Sequence, residues 1–336
     1  MKKIKKRTWF ILLGLVIALS FCKQVENQHN LKLAHSLNES HPVHLGIVEM
    51  ARLLEEISDG KMSIDIYANG QLGQERELLE LLQIGSLDMT KVSAGALENF
   101  IPDFKVLTLP YLFKDSTHTW SVLQGPIGKR LLAKGSQYYL RGLCFYDAGS
   151  RSFYAKEKPI NSPKDLYGLK VRVMNSQSAF SMINALGGAP TPVSWGELYT
   201  ALQQGVVDAA ENNPPSFYLS RHYEVCKYYS IDEHTMIPDI LLVSTHLWNR
   251  LNIQEQEWLQ AAIDRSVKDQ RGFWTISENI ALEAVIAAGV IVSYPKKEPF
   301  QKATKGMYEE FKKDSVIASL INQIQDGLTH QKVEYA

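Results

Sequence analysis

The chain has 336 residues, 45% of them hydrophobic, with 36 basic and 36 acidic side chains. That much apolar material suffices for two packed domains and excludes a disordered chain. The balanced charge offers no electrostatic footing for nucleic acid, and none is expected as a partner.

Lys2, Lys3, Lys5, Lys6 and Arg7 precede an apolar run from Trp9 to Phe21. A basic stretch followed by an apolar run shorter than a membrane span is the layout of a secretory signal, here residues 1–21. The protein is therefore expected to be periplasmic or otherwise extracytoplasmic. Leu19-Ser20-Phe21-Cys22 is an imperfect lipoprotein box, so a lipid anchor at Cys22 stands beside simple secretion. Without residues 1–21 the chain keeps 31 basic and 36 acidic residues, a formal charge of −5.

Leu31–Ala34 reads as a first strand ending at His35, a residue that serves either as packing or as a ligand contact. His41-Pro42 opens a helix with Val43, Ile47, Met50, Leu53 and Leu54 on one face. Met62–Tyr67 alternates as a strand. A glycine-rich turn then leads into a helix from Glu75 to Gln83, where Glu75 either favours the helix N-terminus or faces ligand. Leu87-Asp88-Met89 starts a third strand that brings Lys91 and Ser93 to its end. This strand–helix alternation implies a parallel sheet with right-handed crossovers. Leu107–Phe113 is expected to be core and interdomain wall. The strand Gly142–Asp147 runs out through Arg151, which falls at a crossover between domains.

Leu169–Val173 has the period of two of a strand, and a helix follows from about Ser178 to Leu186. Pro190 and Pro192 are expected to bracket a turn, and Ser194 to cap a short helix ending at Gly205. Arg172 then leaves one strand and Asn212, with Asn213, leaves another, facing one crevice beyond the carboxyl ends of an open sheet. His234 and Asp239 are further cleft candidates. Gln254 to about Ala288 reads as one helix without proline, about 50 Å long at 1.5 Å per residue.

Cys144 and Cys226 fit either a disulfide or two buried thiols. Metal-ligand spacings are absent, as are a GxSxG elbow, HExxH, a P-loop and CxxC, so neither metal nor cofactor nor enzymatic turnover is expected. A guanidinium at Arg172 offers a planar fork of donors matched to a carboxylate. Glu75, Asn213, His35, Lys91 and His234 offer groups suited to hydroxyls.

Three stretches occur in order: GQLGQERELLELLQIGSLDM (70–89), LKVRV (169–173) and GGAPTPVSWGELYTALQQGVVDAAENNP (187–214). Together they resemble the DctP-type solute-binding proteins of tripartite ATP-independent periplasmic (TRAP) transporters, over roughly residues 30–320. The resemblance implies an α/β periplasmic-binding-protein fold of two hinged domains, with a ligand cleft between them and a long helix bracing both. One domain is expected at 30–148 plus about 240–278, the other at 149–239 plus about 279–336. It also implies that Arg172 clamps a ligand carboxylate, with Arg151 as a secondary arginine and Asn212 closing on the same group. Its partners would be the small and large TRAP permease subunits. The Lys91-Val92-Ser93, Asn212-Asn213 and Asp232-Glu233-His234 details resemble members that bind sugar acids, above all hexuronates such as glucuronate or galacturonate. A C4-dicarboxylate, a keto acid or another sugar acid is the alternative ligand, and another importer or a sensor the alternative context.

Overall fold

The computed structural model describes residues 29–330, so the expected signal segment and Cys22 lie outside the described residues. Two sheets organise the chain. The first has the order β2-β1-β3-β10-β4, built from His29–Ala34 (β1), Met62–Tyr67 (β2), Met89–Ser93 (β3), Leu140–Tyr146 (β4) and Asp239–Ser244 (β10). The second has the order β11-β9-β5-β8-β6-β7. It comprises Arg151–Ala155 (β5), Lys170–Val173 (β6), Ala189–Pro192 (β7), Ala209–Asn212 (β8), Tyr228–Thr235 (β9) and Ile291–Ser293 (β11).

Each sheet receives a strand that runs against its neighbours. β5 is antiparallel to β8 and β9, and β10 is antiparallel to β3 and β4. Both follow directly from a strand of the other sheet, so the chain crosses between domains at 147–150 and again at 236–238. Topology thereby fixes the site. An antiparallel strand begins at the edge where its parallel neighbours end, which pairs Ser152 with Asn212 and Asp239 with Ser93.

Helix α1 (Pro42–Ile57) forms because His41 accepts from Val43 N–H at its start and Pro42 fits the first turn. Its buried Val43, Ile47, Met50, Leu53 and Leu54 pack on Leu31 and Leu33 of β1. Helix α2 (Glu75–Gln83) covers the opposite face through Leu78, Leu79 and Leu82. In the second domain, helix α3 (Gln177–Ala185) sets Met182 and Ile183 on Val171 and Val173, and helix α4 (Pro214–Leu219) sets Phe217 on Tyr154.

Helix α5 runs unbroken from Ile253 to Ala287, opened by a reciprocal cap between Asn252 and Glu255. Leu259, Ala262, Ile263 and Trp274 belong to the first domain's core and Val285 to the second's. Gly272, within it, marks neither a bend nor a close contact. The helix continues through it, and a Cβ there would meet open space. The last helix, α6 (Ser315–His330), returns Ile317, Leu320, Ile321 and Ile324 to the first domain's core, although the sequence grouped residues 279–336 with the second.

Pro190 and Pro192 stand within β7 instead of bracketing a turn. β7 lies at the sheet edge, where a missing N–H leaves no ladder bond unmade. Leu107, Leu109, Leu112 and Phe113 are core, and Tyr111 reaches the second domain, its N–H donating to His234 O at 2.8 Å. Cys144 and Cys226 are buried free thiols, one in each domain's core.

Candidate functional site

A cavity of about 720 Å³ lies between the two sheets, and Glu75, Lys91, Arg151, Arg172, Asn212, Asn213 and Asp239 all line it. That volume is typical of a small-molecule pocket.

Arg172 sits near the end of β6, where alternation sends Val171 and Val173 into the core and Arg172 to the other face. It is 3% exposed, and its Nε–H donates to Val193 O at 2.9 Å. Among the described residues it has no carboxylate within ion-pair distance. Burial pulls its pKa below the usual arginine value. The guanidinium stays charged nonetheless, since arginine does not titrate in proteins. The remaining four N–H donors belong to Nη1 and Nη2, and the ring of Trp195 stands 5.8 Å from Cζ.

Arg151 is a different kind of arginine. Its Nη2 donates to Glu211 Oε1 at 2.8 Å and to Glu211 O at 2.9 Å, Nε donates to Glu211 Oε2, and Nη1 donates to Asn212 Oδ1 at 2.9 Å. Four of its five donors are thus committed. Behind it, His234 places Nδ1 3.0 Å from Asp232 and Nε2 3.5 Å from Glu211, with its ring stacked on Phe153. Burial alone would depress the His234 pKa, but the two carboxylates outweigh it and raise the value to about 9. Burial likewise opposes ionisation of Glu211, yet Arg151 and His234 bring its pKa down to about 2. This buried chain of charges holds Asn212 in place. Asn212 Oδ1 accepts from both Arg151 Nη1 and Asn213 N–H at 2.9 Å, which fixes the amide orientation and leaves Nδ2 as a donor for the cavity.

Asn213 lines the cavity but spends its side chain on the frame. Oδ1 caps α4 by accepting from Ser216 N–H at 2.8 Å, and Nδ2 donates to Ala148 O at 3.0 Å. On the facing wall Lys91 Nζ lies 3.0 Å from Asp239 Oδ2 and 3.7 Å from Glu75 Oε1, and that Glu75 oxygen also accepts from Ser93 N–H at 2.8 Å.

His35 and His234 do not line the cavity. His35 Nε2 is 3.0 Å from His44 Nδ1, and its own Nδ1 accepts from Leu37 N–H. Burial, with help from Lys91 and His44, lowers its pKa to about 3, so it is a neutral packing residue. Sequence reasoning gave Glu211 no partner and missed Gln74, whose Oε1 accepts from Gly196 N–H of the other domain at 3.1 Å. Glu211 immediately precedes Asn212 on β8, but its pairing with β5 joins residues 60 apart along the chain, so no signal in the sequence could have found it.

Residues 33–314 match the family model described as DctP, bacterial extracellular solute-binding protein, family 7. The structure is similar to that of a TRAP periplasmic solute binding protein from Bradyrhizobium sp. in complex with α/β-D-galacturonate. The two are 40% identical with a TM-score of 0.87, over 89% of this chain and 100% of the other. A Roseobacter denitrificans TRAP periplasmic solute binding protein with bound β-D-glucuronate is 35% identical with a TM-score of 0.86, over 88% and 99% of the two chains. The C4-dicarboxylate-binding periplasmic protein DctP of Rhodobacter capsulatus is 33% identical over 77% of this chain and 78% of its own.

Proposed function

This chain belongs to the DctP family of bacterial extracellular solute-binding proteins, and on that premise we propose that it captures a hexuronate such as glucuronate or galacturonate for a TRAP permease. The observation that carries the reading is Arg172, a buried guanidinium that has no carboxylate partner among the described residues, in a cavity of ligand size. Burying an unpaired charge is costly, and a ligand carboxylate removes that cost where an uncharged sugar does not. Asn212 Nδ2 supplies a further donor beside it. The Glu75, Lys91 and Asp239 side chains supply mixed donors and acceptors of the kind sugar hydroxyls need. The galacturonate and glucuronate bound by the similar solved proteins support the hexuronate choice.

Closure follows from the same geometry. Ligand held by Arg172 and Asn212 from one domain and by Glu75, Lys91 and Asp239 from the other stabilises the closed arrangement by contacts the open one lacks. The closed protein then docks on the small and large membrane subunits, and the ligand leaves chemically unchanged. Secretion through residues 1–21, with or without a lipid on Cys22, belongs to this reading, and the mass of the mature N-terminus checks it.

Isothermal titration of the mature chain tests the proposal. Glucuronate or galacturonate should bind, while glucose and galactose should not. Binding confined to C4-dicarboxylates such as malate would replace the hexuronate with the ligand class of the Rhodobacter relative. Conversion of the ligand recovered after incubation would overturn the transport reading.

A further inference from the structure

The two walls of the cavity carry different charge. Arg172 contributes one uncompensated positive charge. Lys91 opposite is held by two carboxylates, Asp239 Oδ2 at 3.0 Å and Glu75 Oε1 at 3.7 Å. One cation against two anions leaves that group with a net charge of about −1 in a site where Lys91 and Asp239 are 2% and 6% exposed. The groups face one another closely enough to feel each other. Burial acts most strongly on both arginines and Glu211 favours the charge on each, while Glu75 adds a smaller pull toward the protonated Arg172 and Asp239 toward the protonated Arg151. Asp239 Oδ1 and Glu75 Oε2 have no hydrogen-bond donor among the described residues, so each remains an acceptor for a hydroxyl.

We propose that Glu75 and Asp239, by overcompensating Lys91, make this a site for a single carboxylate and exclude ligands carrying a second one at the far end. The inference rests on the reading of Arg172 as the carboxylate clamp. A hydroxylated monoacid places its carboxylate on Arg172 and donates its distal hydroxyls to Glu75 and Asp239. The corresponding diacid must bring a second carboxylate against acceptors that have no proton to give, in a partly desolvated site where like charges repel strongly. Lys91 offers no relief, because its charge is already engaged twice. Specificity then arises from repulsion of the wrong ligand as much as from attraction of the right one.

The test compares each monoacid with its diacid: glucuronate and gluconate against glucarate, galacturonate and galactonate against galactarate, and erythronate against meso-tartrate. The open-chain gluconate, galactonate and erythronate differ from their diacids only in the terminal group, which separates charge from ring shape. The mature wild-type chain, Glu75→Gln and Asp239→Asn are each titrated. In whichever pair binds, the wild type should favour the monoacid by at least about 100-fold, and each variant should narrow that ratio by about tenfold or more. Binding only outside the hexuronates would remove the hexuronate, and the same preference for the monoacid there would still support this inference. Equal or tighter wild-type binding of diacids would overturn it while sparing the Arg172 clamp. An unchanged ratio in both variants, with melting curves showing them folded, would also overturn it. Binding of no member of any pair would sink both readings. Glu75 stands at a helix start with a side chain 20% exposed, so Glu75→Gln keeps the test open should Asp239→Asn fail to fold.

Discussion

Arg172 and Arg151 show that two arginines in one cavity do different jobs. Arg151 is satisfied by Glu211 and Asn212, whereas Arg172 waits with four donors. Arg172→Ala should weaken binding of the cognate acid by at least about 100-fold, since a buried partner of a charge is lost. The melting temperature of the ligand-free protein should stay within about 3 °C, because no protein ion pair is broken. Titration and melting check both halves, and retained affinity would refute the clamp. His234 gives a pH signature. Its folded pKa of about 9 exceeds the ordinary 6.5, so its contribution is complete below about pH 6.5 and is lost as pH rises toward 9. Melting temperature should fall over that window more in the wild type than in His234→Gln, and parallel curves would contradict the assignment. The cavity positions of Arg172 and Asn212 were legible from their places at strand ends. Asn213 was legible as a position but not as a role, because a following Pro-Pro makes it the cap of α4 and commits its side chain there. Glu211 was unreadable as a partner, since β5 and β8 lie 60 residues apart along the chain.

At the scale of elements, α5 reads the hinge directly. Gln270, fully buried, donates from Nε2 to Asp147 O at 2.9 Å and accepts at Oε1 from Asp147 N–H at 2.8 Å. Gly149 follows with φ of 56°, and a Cβ there would stand 2.9 Å from the Trp274 ring. Helix and crossover are therefore packed as one piece. Gln270→Leu would leave two partly buried backbone groups of Asp147 unpaired, at up to about 1–3 kcal/mol each, and should lower the melting temperature by a few degrees. No change on melting would mean that water replaces the amide. The length of α5 was plain in the sequence, since no proline interrupts it and its ends are capped. Its partners were not, because its buried stripe serves two cores in succession and the sequence does not say where one ends and the other begins. The edge strand β7 was hidden for a simpler reason: two prolines in four residues mask a strand wherever the edge position is unknown.

The whole molecule is two domains bridged around the cavity mouth and behind it. Asn99 Nδ2 donates to Asn175 O at 2.6 Å, Gln74 receives Gly196 N–H, and Asn38 Nδ2 donates to Leu219 O at 3.2 Å. Glu98, 1% exposed, reaches from the first domain to the start of α3, accepting from Ser178 N–H at 3.0 Å and Ser178 Oγ at 2.7 Å. A carboxylate at a helix N-terminus is favourable, and here it holds the domains together. Glu98→Ala should therefore weaken ligand affinity by about five- to tenfold without touching the cavity, because the closed state loses population. Small-angle scattering should show a larger radius of gyration at the same sub-saturating ligand concentration, and unchanged affinity would remove Glu98 from the closure. The alternation of strands and helices foretold two α/β units. The return of α6 to the first domain was not foretold, as an amphipathic terminal helix does not announce which core it covers. The central claim is tested most directly by the crystal structure of the mature protein with D-galacturonate. The carboxylate should lie bidentate on Arg172 with Asn212 Nδ2 in hydrogen-bond reach and the hydroxyls toward Glu75 and Asp239. A carboxylate seated on Lys91, with Arg172 left to water, would contradict the account.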